Sequence, residues 1–425
     1  MVSIPILRTR VTAHIAQPAN SLTFVPSKVL VIGAGPAGTA CAATLHRHGH
    51  EVIVVDKATF PRDKCCGDGL TTNALRVLES IGFNPATVAD FQPCDIVEIR
   101  SPRGTTIHLD LPQQQGLFAA IAPREQLDHA LVNMCRERGI TIHENCAFVS
   151  MPRNDAHGVT VDIENLGTID VDFVVAADGM WSPVRKALGL STPGYLGEWH
   201  AFRQYVSNVT GPAAHTLHVW FDDDLLPGYA WSFPLPGNRV NVGFGILRTS
   251  ERSVQFMNDT WRDLLTRPHI VEALGAGFTP EGRHTAWPIP ARINSAVRSS
   301  GRVLFVGDAV CATDTLTGEG IGQALETGIA AAEAIHSGID AASVRRIYSE
   351  ALDTTLLADH RMSAVLGKML ASPRIAQFVL VLVNSTAWTR KNFVRWMFED
   401  EPRALVFTPR RWHRQFLKRP GAFRN

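Results

Sequence analysis

Three glycines and one carboxylate define the first chemistry in the chain. In Lys28-Val-Leu-Val-Ile-Gly-Ala-Gly-Pro-Ala-Gly-Thr39 an apolar run ends in Gly33, Gly35 and Gly38, spaced G-x-G-x-x-G. The spacing has steric reasons. Gly33 lets the chain turn sharply, Gly35 lets backbone N–H groups approach a pyrophosphate, and Gly38 lets the following helix pack on the strand, so that the helix N-terminus can hold phosphates. The next β-rich run, Glu51-Val-Ile-Val-Val-Asp56, closes on a carboxylate where the ribose hydroxyls of a dinucleotide are taken. Together they predict a dinucleotide-binding strand, turn and helix.

Five more places carry polar or reactive residues at turns or helix openings. Lys57 to Leu70, with Lys64-Cys-Cys-Gly-Asp-Gly-Leu70, is rich in Gly, Pro and charge and reads as a loop. Arg124 stands at the opening of a helical pattern. Asp178-Gly179-x-x-Ser182-x-x-Arg185 follows the apolar run from Val171, and Gly307-Asp308 follows Val303-Leu-Phe-Val306. From there Thr315-Leu-Thr-Gly-Glu-Gly-Ile-Gly322 enters a helix of small residues. Asp308 reads either as a ligand carboxylate or as a helix cap, and Asp178 with Ser182 either as a ligand segment or as a capped turn.

The elements that must position these residues come in pieces. Strand-and-turn signals recur at 28–60, 171–185 and 301–336, so one α/β domain is visited three times. It is expected over 28–90, 122–190 and 296–338, with a substrate domain inserted over 91–121 and 191–295. Residues 191–295 hold Trp199, Trp220, Phe221, Tyr229, Trp231, Phe233, Phe244 and Trp287. Aromatics suit a sheet core, but Tyr229, Trp231 and Phe233 lie beside Pro and Gly turns and equally suit the wall of an apolar pocket. From 339 to 425 the pattern is helical and ends in a basic tail, with Arg410, Arg411, Arg414, Lys418, Arg419 and Arg424 mixed with Trp412, Phe416 and Phe423. That tail reads as solvated or as attached peripherally to an anionic membrane surface; nucleic acid is not an expected partner.

Composition narrows the class. Net charge is +1, which gives no general argument for a polyanionic partner. The seven cysteines are scattered without paired C-x-x-C spacing, against both a disulfide framework and a metal site, and a reducing cytoplasm is the simplest setting. Residues 1–27 carry Arg8 and Arg10 and no acid, and read as a loose tail or an organelle-targeting segment. No run of 18 or more apolar residues is present to span a bilayer.

The glycine turn with Asp56, the Asp178 to Arg185 segment and Gly307-Asp308, in that order, resemble the FAD-dependent oxidoreductases of the p-hydroxybenzoate hydroxylase type. The resemblance covers about residues 28–335. It implies a Rossmann-like FAD-binding domain with an inserted antiparallel sheet. Gly33, Gly35, Pro36, Ala37, Gly38, Asp56 and Lys57 would hold the adenosine and pyrophosphate half of FAD, and Cys66, Gly67 and Arg124 would lie against the cofactor. Asp178 and Gly179 belong to a segment associated in that family with a nicotinamide donor. Asp308 would bond the ribityl chain, and Gly318, Gly320 and Ile321 would bring a positive helix end beneath the flavin pyrimidine.

Lys64-Cys-Cys-Gly-Asp-Gly-Leu-Thr71 and Tyr229-Ala-Trp-Ser-Phe-Pro234, followed by Gly243-Phe-Gly245, are similar to the geranylgeranyl reductase family. Thr315 stands where that family often has proline, and Cys65 departs from its single-cysteine pattern. Such enzymes use reduced FAD to saturate double bonds of isoprenoid chains. The resemblance implies a geranylgeranyl group, a polyprenyl quinone or a related lipid as substrate, with NADPH or reduced ferredoxin as electron donor. An isolated alkene takes hydride only if a proton reaches the neighbouring carbon in a site that excludes water. Tyr229, Trp231 and Phe233 would line that channel, with Cys66 near the reacting bond or simply a small buried side chain. The alternative on this scaffold is an aromatic monooxygenase or a halogenase. A halogenase would carry W-x-W-x-I-P where this chain has Tyr229 and Phe233.

Overall fold

The computed structural model describes residues 25–424 apart from Gln113, Val406, Phe407 and 413–417. The readings of residues 1–24, Arg414 and Phe416 therefore fall outside it. β1 (Lys28–Ile32) enters α1 (Pro36–Arg47) through the glycine turn, and β2 (Glu51–Val55) follows. After α2 (Thr72–Ser80), β3 (Ile96–Arg100) and β4 (Thr106–Asp110) start a second sheet, and α3 (Arg124–Glu137) and β5 (Thr141–His143) return to the first. β6 (Phe148–Asn154), β7 (Val159–Ile163) and β8 (Gly167–Val171) form a separate antiparallel meander before β9 (Phe173–Ala176).

The second sheet is completed by β10 (Trp199–Ser207), β11 (Leu217–Trp220), β12 (Tyr229–Leu235), β13 (Arg239–Leu247) and β14 (Thr279–Ile289), with α4 (Val254–Leu264) and α5 (Pro268–Leu274) between the last two. β15 (Val303–Phe305) leads back to the first sheet. The chain then becomes helical: α6 (Ile321–Ser337), α7 (Ala341–Leu352), α8 (Ala358–Leu370), α9 (Pro373–Asn384) and α10 (Ala387–Met397).

The first sheet runs Ser299–Ser300, β15, β9, β1, β2, β5, parallel throughout except for the two-residue edge. Its central strands read as continuous apolar runs because helices cover both faces; Val29, Leu30 and Val31 are fully buried. α1 can bury almost its whole surface because Ala37, Gly38, Ala40, Ala42 and Ala43 are small. α6 crosses it at Gly328, where an added Cβ would lie 2.1 Å from the Ala37 carbonyl oxygen.

The second sheet runs β14, β10, β13, β12, β11, β3, β4. It corrects the expected antiparallel sheet in one place, because Leu217–Trp220 pairs in parallel with Val97–Arg100. β3 arrives more than a hundred residues before β11, so no hairpin dictates their direction. Alternation divides the two faces. Val240, Val242, Phe244 and Ile246 pack on Met257, Trp261, Leu264 and Ile270 of the covering helices. Asn241, Gly243 and Gly245 therefore point to the other face, toward the first domain.

Two helix glycines separate close packing from propensity. Gly328→Ala is expected to cost about 1–3 kcal/mol, because backbone must move to admit the methyl group. Gly367, inside α8 with nothing within 4 Å of an added Cβ, should gain about 0.5–1 kcal/mol on the same change. Thermal unfolding of the two variants measures both, and a neutral Gly328→Ala would disprove the tight contact.

Candidate active site

The glycine turn is built by backbone contact. Gly33 sits at φ +109°, and an added Cβ there would meet the Ala177 carbonyl oxygen at 2.3 Å; one on Gly38 would meet the Gly33 oxygen at 1.8 Å. Gly35 is different. Its φ of −76° suits any residue, and an added Cβ would meet only the far ends of Arg62 and Arg124, at 3.6 and 4.0 Å. The protein itself does not need glycine at 35, so the open space in front of it fits a ligand at the start of α1. Asp56 fixes the turn from β2: Oδ2 accepts from Ala34 N at 2.7 Å and Oδ1 from Ala58 N at 2.8 Å. Each oxygen keeps a further lone pair for a ribose hydroxyl.

One cavity of about 1000 Å³ begins at this turn and continues between the two sheets. The site residues expected from the sequence line it except Gly38, which is taken up in packing α1 on the turn, and Ser182 and Arg185 of the Asp178 segment. Thus Gly33, Gly35, Pro36, Ala37, Asp56 and Lys57 stand at one end. Cys66, Gly67, Arg124, Asp178, Gly179 and Asp308 lie along it, with Gly318, Gly320 and Ile321 at the start of α6 and Tyr229, Trp231 and Phe233 beyond.

Several of these side chains have partners within the protein. Arg124 is buried and grips Asp128 with Nε and Nη2 at 2.8 and 2.7 Å, so it is not the surface arginine its place in a first helical turn would allow. Burial opposes ionisation of Asp128, but the Arg124 and Arg62 guanidiniums outweigh it and hold the carboxyl below the usual carboxylate range. Asp308 pairs with Lys64 at 2.9 Å. Asp178 Oδ2 accepts from Ser182 Oγ at 2.8 Å and from Val184 N, while Ser182 Oγ caps Arg185 N. The capped turn is therefore present, and Ser182 and Arg185 serve it. Asp178 Oδ1 is buried without a hydrogen-bond partner, and burial pushes this carboxyl up to about 6. It is an acceptor at the cavity wall in need of a donor.

The aromatic motif has a geometric explanation in β12 and β13. Tyr229, Trp231 and Phe233 alternate onto one face, with ring centroids 6.0 and 5.9 Å apart. Tyr229 pairs with Gly245 and Trp231 with Gly243 across the strands. An added Cβ on Gly243 would lie 2.3 Å from the Trp231 ring, so the G-x-G spacing leaves room for the indole. The Cys66–Gly69 loop covers these rings from the other domain; added Cβ atoms on Gly67 and Gly69 would reach Phe233 at 3.3 and 3.1 Å. The Tyr229 hydroxyl donates to the Thr317 carbonyl. Tyr229 is thus both a wall residue and a tether for the loop before α6.

Sequence reasoning missed the polar group that joins the two halves. Asn241 accepts from Trp231 Nε1 at 3.2 Å, and its Nδ2 donates to the Cys66 carbonyl at 2.9 Å and to Asp68 Oδ2 at 2.7 Å. Tyr205 OH also donates to Asp68 Oδ2. A buried Asn between two apolar strand residues was the available signal. Cys66 itself accepts from Asp68 N at 3.3 Å, and burial pushes its thiol up to about 11. It keeps its proton at neutral pH. The cysteines are unpaired, Cys65 and Cys66 included.

The acid cluster at the start of α6 was also missed, because half of it comes from the C-terminal segment. Glu319 accepts from Gly322 N at 2.9 Å. Glu399, just after α10, takes Thr71 Oγ1 at 3.2 Å and Gln323 Nε2 at 3.1 Å. Arg403 lies 3.4 Å from Glu399 and 3.5 Å from Asp314. Burial pushes Glu319 up to about 7 and Glu399 up to about 8.

The FAD binding domain family model matches residues 26–347. A menaquinone reductase of Mycobacterium tuberculosis (strain CDC 1551 / Oshkosh) is 30% identical over 338 residues, covering 73% of this chain and 76% of the relative. A digeranylgeranylglycerophospholipid reductase of Methanococcus vannielii is 25% identical over 310 residues, covering 72% and 75%. Among solved structures, a geranylgeranyl bacteriochlorophyll reductase-like protein from Thermoplasma acidophilum superposes with a TM-score of 0.74 at 18% identity, covering 91% of this chain and 99% of its own. The flavin-dependent halogenase CmlS shares the fold with a TM-score of 0.67 at 22% identity, covering 92% and 74%.

Two measurements test the site. Gly35→Val should leave the stability of the flavin-free protein within about 0.5 kcal/mol while flavin affinity falls about tenfold or more; unchanged flavin content would remove the ligand from in front of Gly35. Glu319 and Glu399 hold protons that the unfolded chain releases above the ordinary glutamate value of 4.5. Their raised values make stability fullest below that pH and progressively lost up to about pH 8. Glu399→Gln should therefore raise Tm more at pH 8 than at pH 5, and an equal shift at both would refute the assignment. The match over residues 26–347 makes the chain a member of the FAD binding domain family, and the 30% identity over about three quarters of each chain makes it a relative of the mycobacterial menaquinone reductases.

Proposed function

We propose that the protein is an FAD-dependent reductase that saturates C=C bonds in the isoprenoid tail of a menaquinone-type quinone. The observation that carries this reading is the continuity of the cavity. It runs from the glycine turn past Trp231 and Phe233 to Leu366, Val379, Phe393 and Trp396 of the C-terminal helices, an apolar passage suited to a long chain. The relatives named above support the substrate class: one is named for menaquinone and the other for a geranylgeranylated lipid.

Gly33, Gly35, Pro36 and Ala37 would hold the pyrophosphate at the N-terminus of α1, and Asp56 with Lys57 the adenosine half. Arg124 would stand by it on the Asp128 fork, with Gly67 and Gly179 leaving room for the cofactor. Asp178 would gain a donor for Oδ1. Asp308, oriented by Lys64, would face the ribityl hydroxyls, and Gly318, Gly320 and Ile321 would present the positive end of α6. Reduced FAD supplies hydride. Trp231 and Phe233 hold the alkene and exclude water, Asn241 fixes the indole and the Cys66 carbonyl, and Cys66 Sγ carries a proton beside the rings. Electrons arrive from NADPH or reduced ferredoxin.

The test is anaerobic. Enzyme reduced with dithionite is mixed with detergent-dispersed menaquinone-type lipid while flavin absorbance is followed and the lipid is fragmented in a mass spectrometer. Reoxidation with two added hydrogens in the tail is the expected result, and Trp231→Ala should slow it about tenfold or more with flavin content retained. Hydrogens found only on the ring would make the protein a quinone-head reductase. Reoxidation that waits for oxygen would move it to the monooxygenases.

A further inference from the structure

α9 is apolar on two opposite faces, and the protein covers one of them. Ala376, Leu380 and Val383 are buried, Leu380 against the cluster that contains Val394 and Phe398. The other stripe, Ile375, Phe378, Val381 and Leu382, repeats at helical spacing and faces outward, with Phe378 68%, Val381 53% and Leu382 55% exposed. Val365 and Met369 of α8 and Trp388 of α10 add to the exposed apolar surface. So much apolar area in water marks a docking surface.

Charge and position identify what docks. From His360 to Phe398 the sequence has six Lys or Arg and no Asp or Glu. Of these, Lys368, Arg374 and Lys391 are exposed on the same three helices. Met369 and Ile375 belong both to the exposed surface and to the wall of the cavity. Among the described residues no single helix is long and apolar enough to cross a membrane, and the α7–α8 stretch meets α9 at 109°. Arg411 is held by Asp359 at 2.8 Å and Trp412 donates to the Leu405 carbonyl.

We propose that α8, α9 and the start of α10 dock on the surface of an anionic phospholipid bilayer, with Phe378, Val381 and Leu382 in the headgroup–acyl boundary and Lys368, Arg374 and Lys391 among the phosphates. The far end of the cavity then opens into the lipid in which a polyprenyl substrate is dissolved. This rests on the lipid-reductase reading for its purpose, but its measurement does not.

The full-length, FAD-loaded protein is floated with vesicles of phosphatidylcholine alone or mixed equally with phosphatidylglycerol. Co-flotation with the mixed vesicles is expected. The double variant Phe378→Asp, Leu382→Asp should partition roughly a hundredfold less, with flavin content, Tm and turnover of detergent-dispersed lipid unchanged; neither residue lines the cavity. Lys368→Gln with Lys391→Gln should weaken binding to the mixed vesicles roughly tenfold. Absence of wild-type flotation, or flotation of the Asp variant at wild-type level, overturns the proposal. So does a wild-type dimer that the Asp variant splits without any vesicle binding, which would make the face an interface between two copies. Flotation without turnover in detergent would instead count against the reductase reading while leaving the docking surface standing.

Discussion

Asp68 ties the two halves of the molecule together. Its carboxylate is fully buried. Oδ1 accepts from the backbone N of Arg124 on α3, and Oδ2 takes the Tyr205 hydroxyl of β10 and the Asn241 amide of β13. Burial pushes this carboxyl up to about 6, against the pull of the Tyr205 and Asn241 bonds. A half-satisfied carboxylate at that depth would cost several kcal/mol, so both domains must be in place for it to be stable. The same loop carries Cys66 and Gly67 against the aromatic rings. Domain docking and construction of the reaction chamber are thus one event.

The start of α6 poses a different electrostatic problem. A helix N-terminus carries about half a positive charge and can stabilise an anionic partner, but here Glu319 already accepts from Gly322 N. An ionised Glu319 would cancel the potential it caps. Burial, with Asp314 nearby, favours the protonated form, and Asp314 stays ionised because Arg403 offsets its desolvation. The cluster therefore concentrates its negative charge on the carboxylate paired with arginine and holds back ionisation of Glu319 beside the helix end below about pH 7. Arg403 and Glu399 come from beyond α10, so the last part of the chain tunes the first domain.

What the sequence disclosed follows the range of the physics. The glycine turn and Asp56 were legible because their constraints act within one strand, turn and helix. The Tyr229 to Gly245 pattern was legible as a motif, and its cause, rings stacked over glycines in register, is still a neighbouring-strand effect. Gly35 and Gly38 look alike in sequence yet differ in the structure: backbone requires one, and only open ligand space explains the other. Asn241, Asp68, Glu399 and Gly328 were not legible as a group, since each acquires its role from residues far along the chain. The parallel pairing of Leu217–Trp220 with Val97–Arg100 was hidden for the same reason.

The C-terminal helices have unequal attachments. The far end of α10 is fixed from several sides: Arg395 pairs with buried Asp400, which also binds Arg76, and the Phe398 carbonyl accepts from Thr72 N at 2.9 Å. Moving that end would leave a buried charge unpaired and would pull Glu399 from Thr71 and Gln323. α9 packs along Ala376, Leu380 and Val383 by apolar burial, and an apolar contact has no directional requirement to break; its polar ties to α10 sit at its C-terminal end, where Thr389 Oγ1 donates to the Val383 carbonyl at 2.8 Å and Arg390 to the Asn384 carbonyl at 2.9 Å. If its outer stripe trades water for lipid, a small displacement of the N-terminal part of α9 would leave those bonds in place while α10 keeps its own anchors. On the proposed docking, an apolar contact beside the lipid, separate from the polar anchor at Asp400 and Glu399, would let a long chain enter without dismantling that anchor.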